Sequence, residues 1–136
     1  MTPIHETIIN KKTTNSPIWL MRQAGRYLPE FKEIRNNNKN FIQLCLNSDL
    51  SSKITLQPLK RFNLDAAIIF SDILMVPYAL GQKVNFKKDY GPELSNFNNL
   101  IFNNVDEENF TKILSPVYET IAKTRKELHK EKSEIT

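Results

Sequence analysis

Cysteine is nearly absent from this chain: Cys45 is the only one. Neither an internal disulfide nor a cysteine-based metal cluster can therefore form, which fits a reducing compartment and a cytoplasmic protein. No apolar run approaches the roughly 20 residues that a membrane-spanning helix needs, so no membrane partner is expected. The first twelve residues, MTPIHETIINKK, carry Glu6 and no long apolar core, which argues against a secretory signal. Glycine occurs only 3 times, and neither a Gly-rich P-loop nor a dinucleotide fingerprint is present. The 2 histidines, His5 and His129, lie in a polar arm and a charged stretch, where surface positions are expected rather than metal ligands or bases. Internal repeats are absent, and the longest low-complexity tract is NNNKN at 36–40.

What remains is ordinary for a folded domain: 136 residues, 40% hydrophobic and 25% charged. Lys and Arg outnumber Asp and Glu by 19 to 15, a net charge of +4 that mildly favours an anionic partner. The basic residues are spread along the chain without a tract of interleaved aromatics, which argues against nucleic acid. The run KTRKELHKEK at 123–132 reads as the solvated face of a helix.

Residues 1–15 are polar and without clear period, and read as a surface arm or a short docking helix. SPIWLMRQAGRY at 16–27 begins as a buried extended segment and turns polar around Gly25. One or two helical turns are expected from Pro29 to about Arg35, then a loop over 36–40. Ser48 is the expected N-cap of a helix to about Phe62, with Leu50, Ile54 and Leu59 along one side and a kink at Pro58. AAIIF at 66–70 is apolar without alternation, the pattern of a strand buried on both faces in a parallel sheet. Gly81, Gly91 and Pro92 punctuate a loop region in which VNF forms a short strand. Two helices are expected beyond it. One covers 106–114, and the other starts at Ser115 and Pro116 with Val117, Ile121 and Leu128 on one side. A lone buried strand cannot make a parallel sheet, so the expected architecture is α/β and incomplete, ending where a second strand should follow.

Arg22 and Arg26 are four residues apart across the small Ala24 and Gly25. Two guanidiniums so placed suit carboxylates or phosphates, and because arginine keeps its proton they would bind and stabilise charge rather than transfer protons. A solvated pair or two structural salt bridges explains the spacing as well. Asp72 follows the apolar run and would stand at that strand's C-terminal end, where α/β barrels place catalytic groups. A helix cap or an arginine partner is the other reading. Ser71 has no histidine at motif spacing and is not read as a nucleophile. Phe41, Trp19 and Tyr27 can stack on a flat ligand or pack in the core, and Cys45 reads as a small buried hydrophobe.

PIWLMRQAGRYLPEF at 17–31, TLQPLKRFNLDAAIIFSDIL at 55–74 and the later ALGQKVNF and GPEL stretches resemble, in order and spacing, the uroporphyrinogen decarboxylase family. The resemblance runs from about residue 14 to the end. RQAGR followed by LQP and FSDIL is the specific combination, and it distinguishes the chain from corrinoid-linked methyltransferases on the same barrel. The resemblance implies a (β/α)8 TIM barrel, here its N-terminal portion over 16–136 behind an arm at 1–15, truncated before the second strand. It also implies a homodimer, and decarboxylation of the four acetate side chains of uroporphyrinogen III to coproporphyrinogen III without metal or cofactor.

By the same resemblance Arg22, Gln23, Ala24, Gly25 and Arg26 contact substrate, the two arginines meeting its carboxylates. Phe41 matches a further binding position, and Asp72 the catalytic aspartate that reaches the centre of the macrocycle. Tyr78 departs from an acidic residue common in the family, and KKDYGPEL at 87–94 replaces a glycine and glutamate arrangement. The family is more than twice this length, a barrel takes roughly 250 residues, and the tyrosine, serine and histidine that complete its site would lie past Thr136. The chain alone is expected to be inactive, as one half of a split enzyme with a complementing C-terminal chain or as a non-catalytic remnant.

Overall fold

The computed structural model describes residues 3–11, 15–20, 25–87, 90–96 and 105–133. It combines helices with one small sheet, consistent with the expected α/β class. The helices are α1 (Pro3–Asn10), α2 (Pro29–Asn37), α3 (Phe41–Cys45), α4 (Ser48–Arg61), α5 (Met75–Ala79) and α6 (Glu107–Ser133), and the strands are β1 (Val84–Lys87) and β2 (Gly91–Leu94).

Local chemistry sets most of the boundaries. Pro29 opens α2, where its missing N–H costs nothing. Asn40 Oδ1 accepts from the Gln43 N–H at the start of α3, and Asn47 Oδ1 from the Leu50 N–H at the start of α4. The cap of α4 is thus Asn47 rather than Ser48, whose hydroxyl instead reaches Glu119. Asp106 caps α6 through the Asn109 N–H. After α5, Gly81 takes φ 86°, and the N–H groups of Gly81 and Gln82 donate to the carbonyls of Tyr78 and Pro77, closing the helix end in a left-handed turn.

The two helices expected over 106–130 are one. Pro116 lies inside α6 and has no N–H to give the Lys112 carbonyl, but the Ser115 hydroxyl donates to that carbonyl at 2.8 Å and the helix continues. The buried stripe of α6 is Leu114, Thr120 and Thr124, with Val117 beside it, whereas Ile121 is 47% exposed. On α4 small hydroxylated residues are likewise buried, Ser51, Ser52 and Thr55, together with Ile54 and Leu56. The facing hydroxyls of Ser52 and Thr124 hydrogen-bond at 3.1 Å. Lys123 reaches across to Asp49 of α4 at 2.6 Å and pairs with Glu119 of its own helix at 3.2 Å. The hydrogen bonds that Glu119 accepts from Ser48 and Lys123 hold its carboxyl below the usual range.

β1 pairs with β2 antiparallel, Val84 opposite Leu94 and Lys87 opposite Gly91. Gly91 and Pro92, expected as loop residues, are therefore strand residues; the φ of 87° at Gly91 is open to glycine and explains why that position can leave the hairpin turn. AAIIF differs more. No sheet ladder among the described residues includes residues 66–70, and only Phe70 is buried. A strand of this type is buried by flanking strands and by layers on both faces, and the described elements do not supply them. The 16–20 segment, expected to be buried, is not, with Trp19 50% exposed. It is tied to the start of the apolar run by reciprocal hydrogen bonds, Ile18 N–H to Asp65 Oδ2 at 2.7 Å and Asp65 N–H to the Ile18 carbonyl at 2.8 Å.

The core gathers Leu28, Phe31 and Ile34 of the α2 region, Ile42, Leu44 and Cys45 of α3, Ile54 of α4, then Phe70, Leu74, Met75, Ala79 and Leu114. Burial, reinforced by the Asp72 carboxylate, pushes the Cys45 thiol up to about 12, in keeping with its role as a buried small hydrophobe.

Candidate functional site

Gly25 and Leu28 close a turn in which the Leu28 N–H donates to the Gly25 carbonyl at 2.8 Å. A Cβ at position 25 would fall 2.5 Å from Leu28 Cγ, so this close approach requires glycine. The turn presents Arg26 and Tyr27 at the surface and leads into α2. Of the expected loop, Arg22, Gln23 and Ala24 lie outside the described residues.

Asp72 is placed by the buried end of the apolar run. The Phe70 N–H donates to Thr55 Oγ1 at 2.8 Å, and that hydroxyl donates to the Ser51 carbonyl at 2.7 Å, so Thr55 anchors the backbone two residues before Asp72. Asp72 then folds into its own turn, Oδ1 accepting from the Leu74 N–H at 2.9 Å and its carbonyl from the Met75 N–H at 3.1 Å. The carboxylate thus caps its own turn rather than α5, whose N-cap is Leu74, and is half-buried at a cavity.

That cavity, of about 480 Å³, brings together Arg26, Phe41 and Asp72, three residues singled out from sequence, with Arg35 and Phe86. Phe41 serves both roles open to it. Its ring meets Phe70 and Phe86 edge-on, with centroids 6.1 and 5.5 Å apart, and also lines the cavity. The sequence reading missed Arg35. Its guanidinium lies 5.7 Å from the Phe41 ring centroid and donates to the carbonyls of Asn38 and Lys39, which holds a positive charge at the cavity wall. The only available signal was its place in the last turn of α2, six residues before Phe41. Trp19 and Tyr27 are exposed and line no part of this cavity. The arrangement offers two guanidiniums and one carboxylate around aromatic walls, suited to a flat ligand carrying both anionic arms and hydrogen-bond donors.

Replacing Thr55 with valine keeps the shape but leaves the Phe70 N–H buried without an acceptor. We expect a loss of about 1–3 kcal/mol in urea denaturation, with faster hydrogen exchange at Phe70 and in the 70–72 turn. A stability equal to the parent's would mean that the Thr55 hydroxyl does not anchor this segment.

A family model described as uroporphyrinogen decarboxylase (URO-D) matches residues 1–135. A uroporphyrinogen decarboxylase of Agrobacterium fabrum is 48% identical over 123 residues, covering 90% of this chain and 36% of that protein. One of Rickettsia bellii is 48% identical over 127 residues, covering 93% of this chain and 37% of the relative. One of Maricaulis maris is 43% identical over 126 residues, at 93% and 36%. The chain spans little more than a third of the length of the curated relatives it matches.

Proposed function

The chain belongs to the uroporphyrinogen decarboxylase family, and on that premise we propose that it carries the Asp72 portion of a site that decarboxylates the four acetate side chains of uroporphyrinogen III to coproporphyrinogen III. The single observation that carries the reading is the convergence of Arg26, Phe41 and Asp72 on one cavity. The activity belongs to porphyrin and haem biosynthesis and is that of a carboxy-lyase in the cytoplasm. Residues 1–15 serve as an arm, and 16–136 as the N-terminal portion of a (β/α)8 barrel that works as a homodimer. The absence of any helix long and apolar enough to cross a membrane, among the described residues, is compatible with that setting.

The chemistry explains the residue types. Loss of CO2 from a pyrrole acetate leaves an electron pair on the methylene carbon, and that pair needs a sink. Protonation of the pyrrole ring makes it cationic; the pair left by the broken C–C bond flows into the ring as CO2 departs, a proton then completes the methyl group, and the ring gives back the proton it took, so that one proton is consumed for each CO2 released. An ionised Asp72, its Oδ2 accepting from pyrrole N–H groups, stabilises the cation as it develops, which is electrostatic preorganisation rather than base catalysis. Arg26 and Arg22 hold substrate carboxylates, and Gln23 makes a further substrate contact. Ala24 and Gly25 let the backbone come close, and Phe41 packs against the macrocycle.

The exposure of Ile18, Trp19 and Leu20 favours the form of this reading in which further polypeptide covers them, either continuous with this chain or a complementing C-terminal chain, over an inert remnant. The test is decarboxylation of anaerobically prepared uroporphyrinogen by the purified chain, alone and co-expressed with the remaining two-thirds of the Rickettsia bellii relative. Coproporphyrinogen formed only by the pair is the expected result. No product from a folded pair would leave the chain a non-catalytic remnant.

A further inference from the structure

The β1–β2 hairpin contributes to the Asp72 cavity through Phe86, Gly91 and Pro92. Side chains two apart on a strand share a face. Val84 of β1 packs against the core, and Phe86, two residues on, continues that face over the cavity. Pro92, its partner in the hairpin register, lines the same cavity. The rings of Phe31, Phe70, Phe41 and Phe86 meet edge-on in succession, with centroids 6.0, 6.1 and 5.5 Å apart. This series starts in the core at Phe31 and Phe70 and ends at Phe86, which is 46% exposed. The outermost ring is therefore anchored through Phe41 yet open to an occupant, and covering it removes apolar surface from water.

The proposed reaction changes what such a wall can hold. Each decarboxylation turns an acetate arm into a methyl group, by loss of CO2 and gain of one proton. The ligand thus gives up a carboxylate that a guanidinium could hold and gains an apolar group. The face of an aromatic ring carries partial negative charge, so it packs well against a methyl group and poorly against a carboxylate. Across the four steps the hold of the arginines weakens while that of the rings grows.

We propose that Phe86 is a further ligand-binding residue, which with Phe41 forms an apolar wall that retains the partially decarboxylated intermediates until the later steps are complete. The proposal deepens the preceding reading and rests on it for the identity of the substrate. It separates two tasks within one cavity, with the arginines capturing the charged substrate and the hairpin ring keeping the products of the early steps.

Phe86→Ala tests this in the pair co-expressed with the remaining two-thirds of the Rickettsia bellii relative, by anaerobic equilibrium dialysis and by analysis of the released products. The dissociation constant for coproporphyrinogen III should rise about tenfold, the scale for uncovering half a phenyl ring. That for uroporphyrinogen III should rise less than about threefold, since acetate arms gain little from the ring face. Intermediates with some acetate arms intact should appear free in solution, where the unsubstituted pair releases coproporphyrinogen. Phe86→Leu, which keeps an apolar side chain, should recover most of the loss. Leu94→Ala trims the same hairpin at a residue that lines no part of the cavity, and should shift either constant less than about twofold. Equal losses for the two ligands, no loss, or the same loss from the Leu94 variant would each overturn the proposal. A pair that binds neither ligand would overturn it together with the reading of the site. A pair that shows the expected difference in binding and never decarboxylates would sink the proposed reaction and leave the apolar wall standing.

Discussion

Asp72→Asn in the reconstituted decarboxylase is expected to lower turnover by about 10²–10³-fold, the usual scale for removing one preorganised group that faces developing charge. The substitution is informative because of what it leaves alone. The Leu74 N–H donates to Oδ1 of Asp72, and an asparagine side-chain oxygen accepts the same bond, so the turn at 72–75 should survive. Only the charge goes. The expected signature is therefore a fall in kcat with little change in melting temperature and a smaller effect on KM, because Arg26 and the rest of the binding loop remain. Asp72→Ala would lose the cap as well and confound the two effects. Full turnover by the asparagine variant would remove Asp72 from the mechanism.

The largest loss of stability is expected from Ile54→Ala. Ile54 is 0% exposed and belongs to the cluster that joins α2, α3 and α4 to Phe70 and Leu114. Truncation removes apolar contacts and opens a cavity that rigid helix neighbours cannot fill, which costs about 2–5 kcal/mol in urea or thermal unfolding. The matching control is Ile121→Ala, which should fall within about 0.5 kcal/mol of the parent because that side chain faces outward. Equal costs at the two positions would mean that α6 turns a different face to the core.

That comparison also shows where sequence reading gives out. Val117, Ile121 and Leu128 share a helical spacing, yet α6 buries Thr120 and Thr124 against Ser51 and Ser52 of α4. Hydrophobicity was a poor guide there because two helices in close contact favour small side chains, and hydroxyls can satisfy one another across the seam or bond back to the preceding turn, as Thr120 and Thr124 do to Pro116 and Thr120. The pairing of Ser115 with Pro116 misled for a related reason: the same two residues start a helix in one context and pass through one in another. Arg35 carried no motif at all, and it matters because α3 brings Phe41 under its guanidinium.

The sequence by itself determined what depends on neighbours a few positions apart. The absence of an internal disulfide, the start of α2 at Pro29, the start of a helix near residue 106 and the short strand at VNF all follow from local chemistry. The family resemblance also reached Arg26, Phe41 and Asp72 before any geometry did. Only the tertiary structure decided which helix faces are buried, that residues 66–70 stay outside any described ladder, and that those three side chains meet at one cavity beside Arg35. Those outcomes join residues tens of positions apart, and their free energy comes from contacts that no local spacing encodes.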